Sequence, residues 1–291
     1  LRTDIIESVA QEFKKHNSSK LDLSFSLLSN GTLVNANAIA LMKREGIGIG
    51  ISLDGCGSSH DITRRTVKGL GTFKRIEKNI RLLRKNDIRP YIMATVGEQT
   101  INDLPNLTKW LLDNNLYARY SFVRYSNYSI GDYKRFSAKI VKAMKESVNI
   151  IIHHEFGSKF VMSWGLADLS FQHPIGRQPC GIAQNHLVVN YNGCLSLCPM
   201  MLDDSIGTVD FDIFEQYAKY ESTYELQEKS IDASCKNCQW LRVCGTGCPT
   251  LNTEIIGCPN GRSPFCDAYL KLIPMYINLF GWALSKAGKY T

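Results

Sequence analysis

The stretch Cys235-Lys-Asn-Cys238-Gln-Trp-Leu-Arg-Val-Cys244-Gly-Thr-Gly-Cys248 is a C-x2-C-x5-C-x3-C run. Thiols so closely spaced suit one metal centre or two neighbouring ones, because thiolates are soft ligands that select zinc, copper or iron-sulfur clusters. Gly245 and Gly247 let the backbone wrap an inorganic body without Cβ clashes. Upstream, Cys180 precedes the strand-like His-Leu-Val-Val-Asn-Tyr-Asn-Gly and then Cys198, giving C-x12-G-x4-C with Asn192-Gly193 as a hairpin turn. Downstream, Ser263-Pro264-Phe265-Cys266 supplies a further thiol. Seven cysteines so placed exceed the four donors of a tetrahedral zinc site. Two four-iron clusters want about eight. The ligand count favours iron-sulfur, with structural zinc and a disulfide framework as the alternatives.

The order C-x12-G-x4-C, then C-x2-C-x5-C-x3-C, then a last Cys resembles the SPASM domain. That domain is the C-terminal module of radical S-adenosylmethionine (radical SAM) enzymes that modify peptides and proteins. The resemblance implies interlaced ligands: Cys235, Cys238, Cys244 and Cys266 for an outer auxiliary 4Fe-4S cluster, and Cys180, Cys198 and Cys248 for an inner one. A fourth inner Cys, present in some members a few residues after the first, has no counterpart, since Gly-Ile-Ala-Gln-Asn-His follows Cys180. An open iron or a non-cysteine ligand such as His186 are the two ways to complete it.

The chain has 291 residues, 44% of them hydrophobic, with ten cysteines and a formal net charge of +7. That length holds one large or two medium domains with ample core. No apolar run approaches the roughly 20 residues of a membrane span, and no signal-peptide pattern opens the chain. A cytoplasmic, reducing location is expected, in which cysteines are ligands or free thiols. The scattered basic charge fits a solvated surface or an acidic peptide partner, and no motif points to nucleic acid.

The elements that must position these thiols alternate. Residues 3–15 have helical spacing with Thr3 as a cap, and an alternating strand, 21–27, stops at Ser29-Asn30-Gly31. A helix follows, with Gly46 as its C-cap, then strand 47–53 ending in Asp54-Gly55. Helix 72–86, strand 89–96, helix 101–115, strand 116–125 and a long helix near 132–153 come next. This alternation predicts right-handed β/α units in a largely parallel sheet, with a site at the C-terminal strand ends. Residues 206–209 read as a strand, 211–215 as a short helix, and the segment after Cys266 as a helix.

Ser29-Asn30-Gly31, Ile51-Ser52-Leu53-Asp54-Gly55, His60-Asp61, Arg64 and Gly69-Leu70-Gly71-Thr72-Phe73 are similar to the third and fourth strand ends of radical SAM maturase barrels. By that resemblance Ser52 and Arg64 hold the amino-acid moiety of S-adenosyl-L-methionine, with Asn30 beside it. A planar fork of donors suits a carboxylate. The alternative for Arg64 is a surface salt bridge beside Arg65.

The C-x3-C-x2-C that holds the catalytic cluster in such enzymes has no counterpart here, because Cys56 is the only cysteine before Cys180. The expectation is a partial (β/α)6 radical SAM barrel lacking its first strands, about 80–100 residues at ~30 per βαβ repeat, followed by a SPASM domain. A degenerate relative that never had the triad is the alternative. The expected boundaries are 1–154 for the barrel part, 155–179 for a bridge, 180–270 for the SPASM domain and 271–291 for a C-terminal helix. The chain alone would then be inactive, and the whole a radical SAM oxidoreductase. The resemblance implies a maturase of ribosomally made peptides acting through hydrogen abstraction by a 5′-deoxyadenosyl radical. It also implies a precursor peptide or protein substrate and an electron donor such as flavodoxin or ferredoxin.

Anaerobic sulfatase maturases carry an Asp after the Cys equivalent to Cys198, where this chain has Pro199. Crosslinking or oxidation is therefore expected ahead of formylglycine formation. Asp203 and Asp204 are the remaining candidate bases, with exposed turn acids as the plain alternative. Cys194 is expected to pack, Cys258 to pack or cap the open inner iron, and Cys56 to be a neutral thiol. A non-catalytic cluster module that binds a peptide or passes electrons, and a zinc-stapled domain, complete the alternatives.

Overall fold

Strands of alternating burial and amphipathic helices follow one another through the first half of the chain. A computed structural model describes residues 2–16, 22–166, 169, 180–220 and 231–287. Two compact units divide it: one comprises Leu1–Val123, Lys142–Gly165 and Leu279–Thr291, the other Arg124–Val141 and Leu166–Asn278.

From the N-terminus the first unit carries α1 (Thr3–Lys15), β1 (Phe25–Ser29), α2 (Ala36–Glu45), β2 (Ile47–Ser52), α3 (Ser58–Thr63), α4 (Phe73–Lys85), β3 (Tyr91–Val96), α5 (Leu104–Asp113) and β4 (Tyr117–Phe122); α6 (Ile130–Ile152), divided between the units at Val141, α7 (Gly157–Ser163) and β5 (Gly165–Leu166) come next. The sheet order is β1-β2-β3-β4-β5, and the pairs β1–β2, β2–β3 and β3–β4 are parallel. Sequential strands lying side by side with a helix between each pair are the β/α units expected.

Period decides which faces are buried. Ile47, Ile49 and Ile51 of β2 recur every second residue and are all buried, while Ile76, Ile80 and Leu83 of α4 recur at helical spacing and are almost fully buried. Asn35 caps α2 by accepting from the Ala38 amide at 2.9 Å, and Gly46 ends it in the left-handed region at φ 67°.

Three expectations need correction. Thr3 does not cap α1; Arg2 stands at that position without a side-chain cap, and its guanidinium binds Asp4 instead. The first strand lies at Phe25–Ser29, later than 21–27, and Leu21 is outside the described residues. The short α3 and α7 fall where no helix was expected. Of the expected bridge, 155–179, the described part contains α7, and Pro174 and Pro179 lie outside the described residues.

The second unit carries β6 (Val188–Val189), β7 (Cys194–Ser196), β8 (Gly207–Thr208), α8 (Ile213–Ala218), α9 (Ala233–Lys236), α10 (Leu241–Cys244), α11 (Pro249–Ile256) and the part of α12 (Cys266–Ala287) up to Asn278. β6, β7 and β8 form an antiparallel sheet in that order. The β6–β7 turn is wider than Asn192-Gly193: Asn190 closes it by donating to the Cys194 carbonyl at 2.8 Å, with Gly193 at φ 81°. The helix expected at 271–291 starts at Cys266, and its last four residues lie outside the described residues.

Candidate functional site

The cysteine knuckle is built from three short helices rather than from a sheet. Asp232 starts α9 by accepting from the Ser234 amide at 2.8 Å, and α9 carries Cys235. The Cys238 amide then donates to the Cys235 carbonyl at 3.0 Å, which turns the chain into α10, whose last residue is Cys244. Gly245, Thr246 and Gly247 follow with φ of 52°, 67° and 90°. That left-handed run reverses the chain around the thiols. A Cβ on Gly247 would stand 2.6 Å from Ser263 Oγ, so this position requires glycine on both grounds.

Ser263 in turn sets the last cysteine. Its hydroxyl accepts from the Phe265 amide at 3.2 Å and its carbonyl from the Cys266 amide at 2.9 Å, which places Cys266 at the first residue of α12. Asn252 of α11, fully buried, ties the two segments together through its Nδ2, which donates to the carbonyls of Thr246 (2.9 Å), Pro259 (3.1 Å) and Gly261 (3.0 Å).

Cys235, Cys238, Cys244 and Cys266 consequently line one cavity of about 160 Å³, together with Trp240, Leu241, Thr246, Arg262 and Tyr269. Burial pushes the Cys244 thiol up to about 12, the other three cysteines add to the rise, and the Thr246 amide opposes it by hydrogen-bonding Cys244. Burial also raises Cys235. Thiols so crowded stay protonated unless a bound cation replaces the protons. Arg262 supplies fixed positive charge: its guanidinium hydrogen-bonds Cys266, which raises its own pKa, and pairs with Asp267 at 3.2 Å.

Among the described residues no three His, Cys, Asp or Glu side chains are grouped for a single metal ion. The four sulfurs instead border a space, as ligands of a polynuclear body must. The buried Thr246 hydroxyl, which lines the same cavity, has no hydrogen-bond partner. Soft donors, cavity and orphaned hydroxyl together fit an iron-sulfur cluster.

The other three predicted ligands lie in the same unit but outside that cavity. Cys180 is exposed, Cys248 is buried at the N-cap of α11, and Cys198 is half-buried just after β7, where its Sγ accepts from the Met200 amide at 3.5 Å. His186 is exposed and bridges to Ile182. Asp203 and Asp204 are exposed on a turn closed by the Asp204 amide on the Met201 carbonyl at 3.1 Å. Cys194 lies half-buried in β7, and Cys258 lines a second cavity with Lys134, Asp232, Arg262 and Asp267.

In the first unit Asn30 and Ser52 lie at strand ends and Arg64 at the end of a helix. Asn30 stands after β1 and accepts from the Thr32 amide and hydroxyl at 3.1 and 2.8 Å. Ser52 ends β2 opposite Met93 of β3. Arg64 ends α3, and its side chain is not a surface pair beside Arg65. Its Nε and Nη2 hold the carboxylate of the buried Asp54 at 2.5 and 3.3 Å. Among the described residues its other N–H groups have no partner.

Asp54 was the residue missed, and with it a network. Its Oδ1 also accepts from the Thr95 amide at 2.9 Å, and its own amide donates to His60 Nδ1 at 3.2 Å. That leaves the His60 proton on Nε2, which faces Thr72 Oγ1 at 3.0 Å, and the Thr72 hydroxyl donates to the Arg64 carbonyl at 3.1 Å. Burial lowers the His60 pKa, so the neutral tautomer holds. Burial also pushes the Cys56 thiol up to about 12. The sequence did carry a signal for Asp54: an acid within a Ser-Leu-Asp-Gly strand end, ten residues before an arginine.

No family model matches the chain. A curated relative, the cysteine-type anaerobic sulfatase-maturating enzyme of Clostridium novyi, is 25% identical over 282 residues, covering 88% of this chain and 72% of the relative. Among solved structures, native anSMEcpe with bound AdoMet and the Cp18Cys peptide superposes with a TM-score of 0.71 at 18% identity, over 96% of this chain and 81% of that one. Streptococcus suis SuiB bound to S-adenosylmethionine gives 0.51 at 14% identity, over 83% of this chain and 59% of that one. The parallel sheet and the cysteine-rich unit are thus those of a radical SAM maturase fold, and along most of its length the chain is a sequence relative of the anaerobic sulfatase-maturating enzymes.

Proposed function

We propose that the protein is a radical SAM maturase that crosslinks or oxidises a residue of a ribosomally made peptide, with two auxiliary 4Fe-4S clusters held by this chain. The observation that supports this most is the single cavity bordered by Cys235, Cys238, Cys244 and Cys266. When bound, such clusters supply a site for one-electron transfer. Cys235 is buried and Cys238, Cys244 and Cys266 are half-buried, Arg262 offsets negative charge at Cys266, and the Thr246 amide stabilises Cys244 in its ionised form.

Cys180, Cys198 and Cys248 hold the second cluster, whose remaining position is open or taken by His186. At the strand ends Ser52 and Asn30 lie with Arg64 around the amino-acid end of S-adenosyl-L-methionine. Asp54 holds Arg64 through Nε and Nη2, and the remaining guanidinium donors would bind the ligand's carboxylate. A small flavodoxin- or ferredoxin-type protein delivers the electrons.

A second reading, oxidation of a cysteine to formylglycine, is favoured by what the curated relative is named for, cysteine-type sulfatase maturation. Pro199 after Cys198 speaks for the first, since it offers no base there. The intact gene product, purified anaerobically and supplied with S-adenosyl-L-methionine and a one-electron reductant, separates them. Against peptides encoded beside its gene, the expected product is lighter by a pair of hydrogens, appears with 5′-deoxyadenosine and does not react with hydrazides. A hydrazide-reactive aldehyde on a cysteine-bearing sulfatase peptide selects the second reading. No 5′-deoxyadenosine with either peptide contradicts both.

A further inference from the structure

Thr246 is held in a conformation that its side chain disfavours. At φ 67° it is a β-branched residue in the left-handed region, where such residues are outliers that persist only when their surroundings enforce them. Gly245 and Gly247, on either side, adopt the same region at no cost, and a third glycine would complete the turn without strain. The side chain therefore has some use that offsets its backbone conformation.

Its surroundings identify that use. Thr246 is 1% exposed, its Oγ1 has no hydrogen-bond partner, and it lines the cavity bordered by Cys235, Cys238, Cys244 and Cys266. A buried hydroxyl without a partner is a cost of about 1–3 kcal/mol that proteins seldom leave standing. The backbone carbonyl of the same residue is already taken by Asn252 Nδ2 at 2.9 Å. The backbone amide hydrogen-bonds Cys244, so this residue already acts on one of the cavity's four cysteines.

We propose that Thr246 is a positioning residue for the electron affinity of the cluster held by Cys235, Cys238, Cys244 and Cys266, its hydroxyl donating a hydrogen bond to a sulfur of that cluster. This rests on the iron-sulfur reading given above. A donor at sulfur stabilises the reduced, more negative state, so it raises the reduction potential. A methyl group that merely packed would act equally well in valine.

The test is a potentiometric titration, followed by electron paramagnetic resonance, of anaerobically purified protein and of Thr246→Ser, Thr246→Val and Thr246→Gly, with iron counted in each. The cluster concerned is the one lost in Cys235→Ala. Thr246→Ser is expected to keep its midpoint potential, whereas Thr246→Val and Thr246→Gly lower it with iron content unchanged. Thr246→Gly relieves the backbone, so it keeps the question open to measurement even if the valine variant fails to fold. Full iron content with an unmoved potential in Thr246→Gly overturns the proposal and leaves the iron-sulfur reading intact. Wild-type protein without iron overturns that reading and the proposal with it.

Discussion

His60 shows how a buried polar side chain can be fixed by its neighbours' backbone. Its Nδ1 accepts from the Asp54 amide, its Nε2 faces the Thr72 hydroxyl, and it is fully buried. Burial lowers its pKa from 6.5, although Asp54 and Asp61 favour the charged form and Arg64 opposes it. The unfolded chain therefore binds a proton at higher pH than the folded one. The stability due to neutral His60 is present above 6.5 and is lost as pH falls through the lower, folded value. One proton sets the slope at no more than about 1.4 kcal/mol per pH unit. Thermal unfolding from pH 7.5 down to 5 should show the midpoint of the native protein falling more steeply than that of His60→Gln. Parallel curves would mean that His60 is protonated alike in both states. The same network explains Arg64: Asp54 converts a flexible cation into an oriented one at the end of β2.

At the scale of elements, α11 matters more to the cysteine cavity than its lack of any cysteine after Cys248 would suggest. Asn252, one turn into it, donates to carbonyls of the left-handed loop and of the 259–261 segment that leads to Cys266. The Nδ2 amide shares two hydrogens among these three carbonyls, so Asn252→Leu, close in volume, removes about two bonds and should cost about 2–6 kcal/mol at about 1–3 for each orphan. The loss is to be read by denaturant unfolding, with bound iron falling in parallel. Unchanged stability and full iron would show that the loop holds its own shape.

The sequence made the strands and helices of the first unit legible because their apolar residues repeat with period two or 3.6, as Ile47, Ile49 and Ile51 do. It could not make α9, α10 or α11 legible in the same way. The first two are four residues long and are organised by cysteine spacing and by Gly245 and Gly247, not by a buried face. That Cys235, Cys238, Cys244 and Cys266 come together around one cavity was legible from spacing and resemblance. Asp54 as the partner of Arg64 was not, because that pairing depends on where α3 returns the chain.

For the molecule as a whole, a parallel β/α unit and a cysteine-rich unit fold from separate stretches of one chain, each with its own candidate chemistry. Among the described residues no helix is long and apolar enough to cross a membrane. The account depends on what the thiols of Cys235, Cys238, Cys244 and Cys266 hold. Its most direct test is to count iron, acid-labile sulfide and zinc in anaerobically purified protein beside Cys244→Ala and Cys266→Ala. The account predicts broad absorbance near ~400 nm and about eight iron per chain, as two four-iron clusters require, with about half of the iron lost in either variant. Colourless protein that carries zinc, or iron content unaffected by both substitutions, would contradict it.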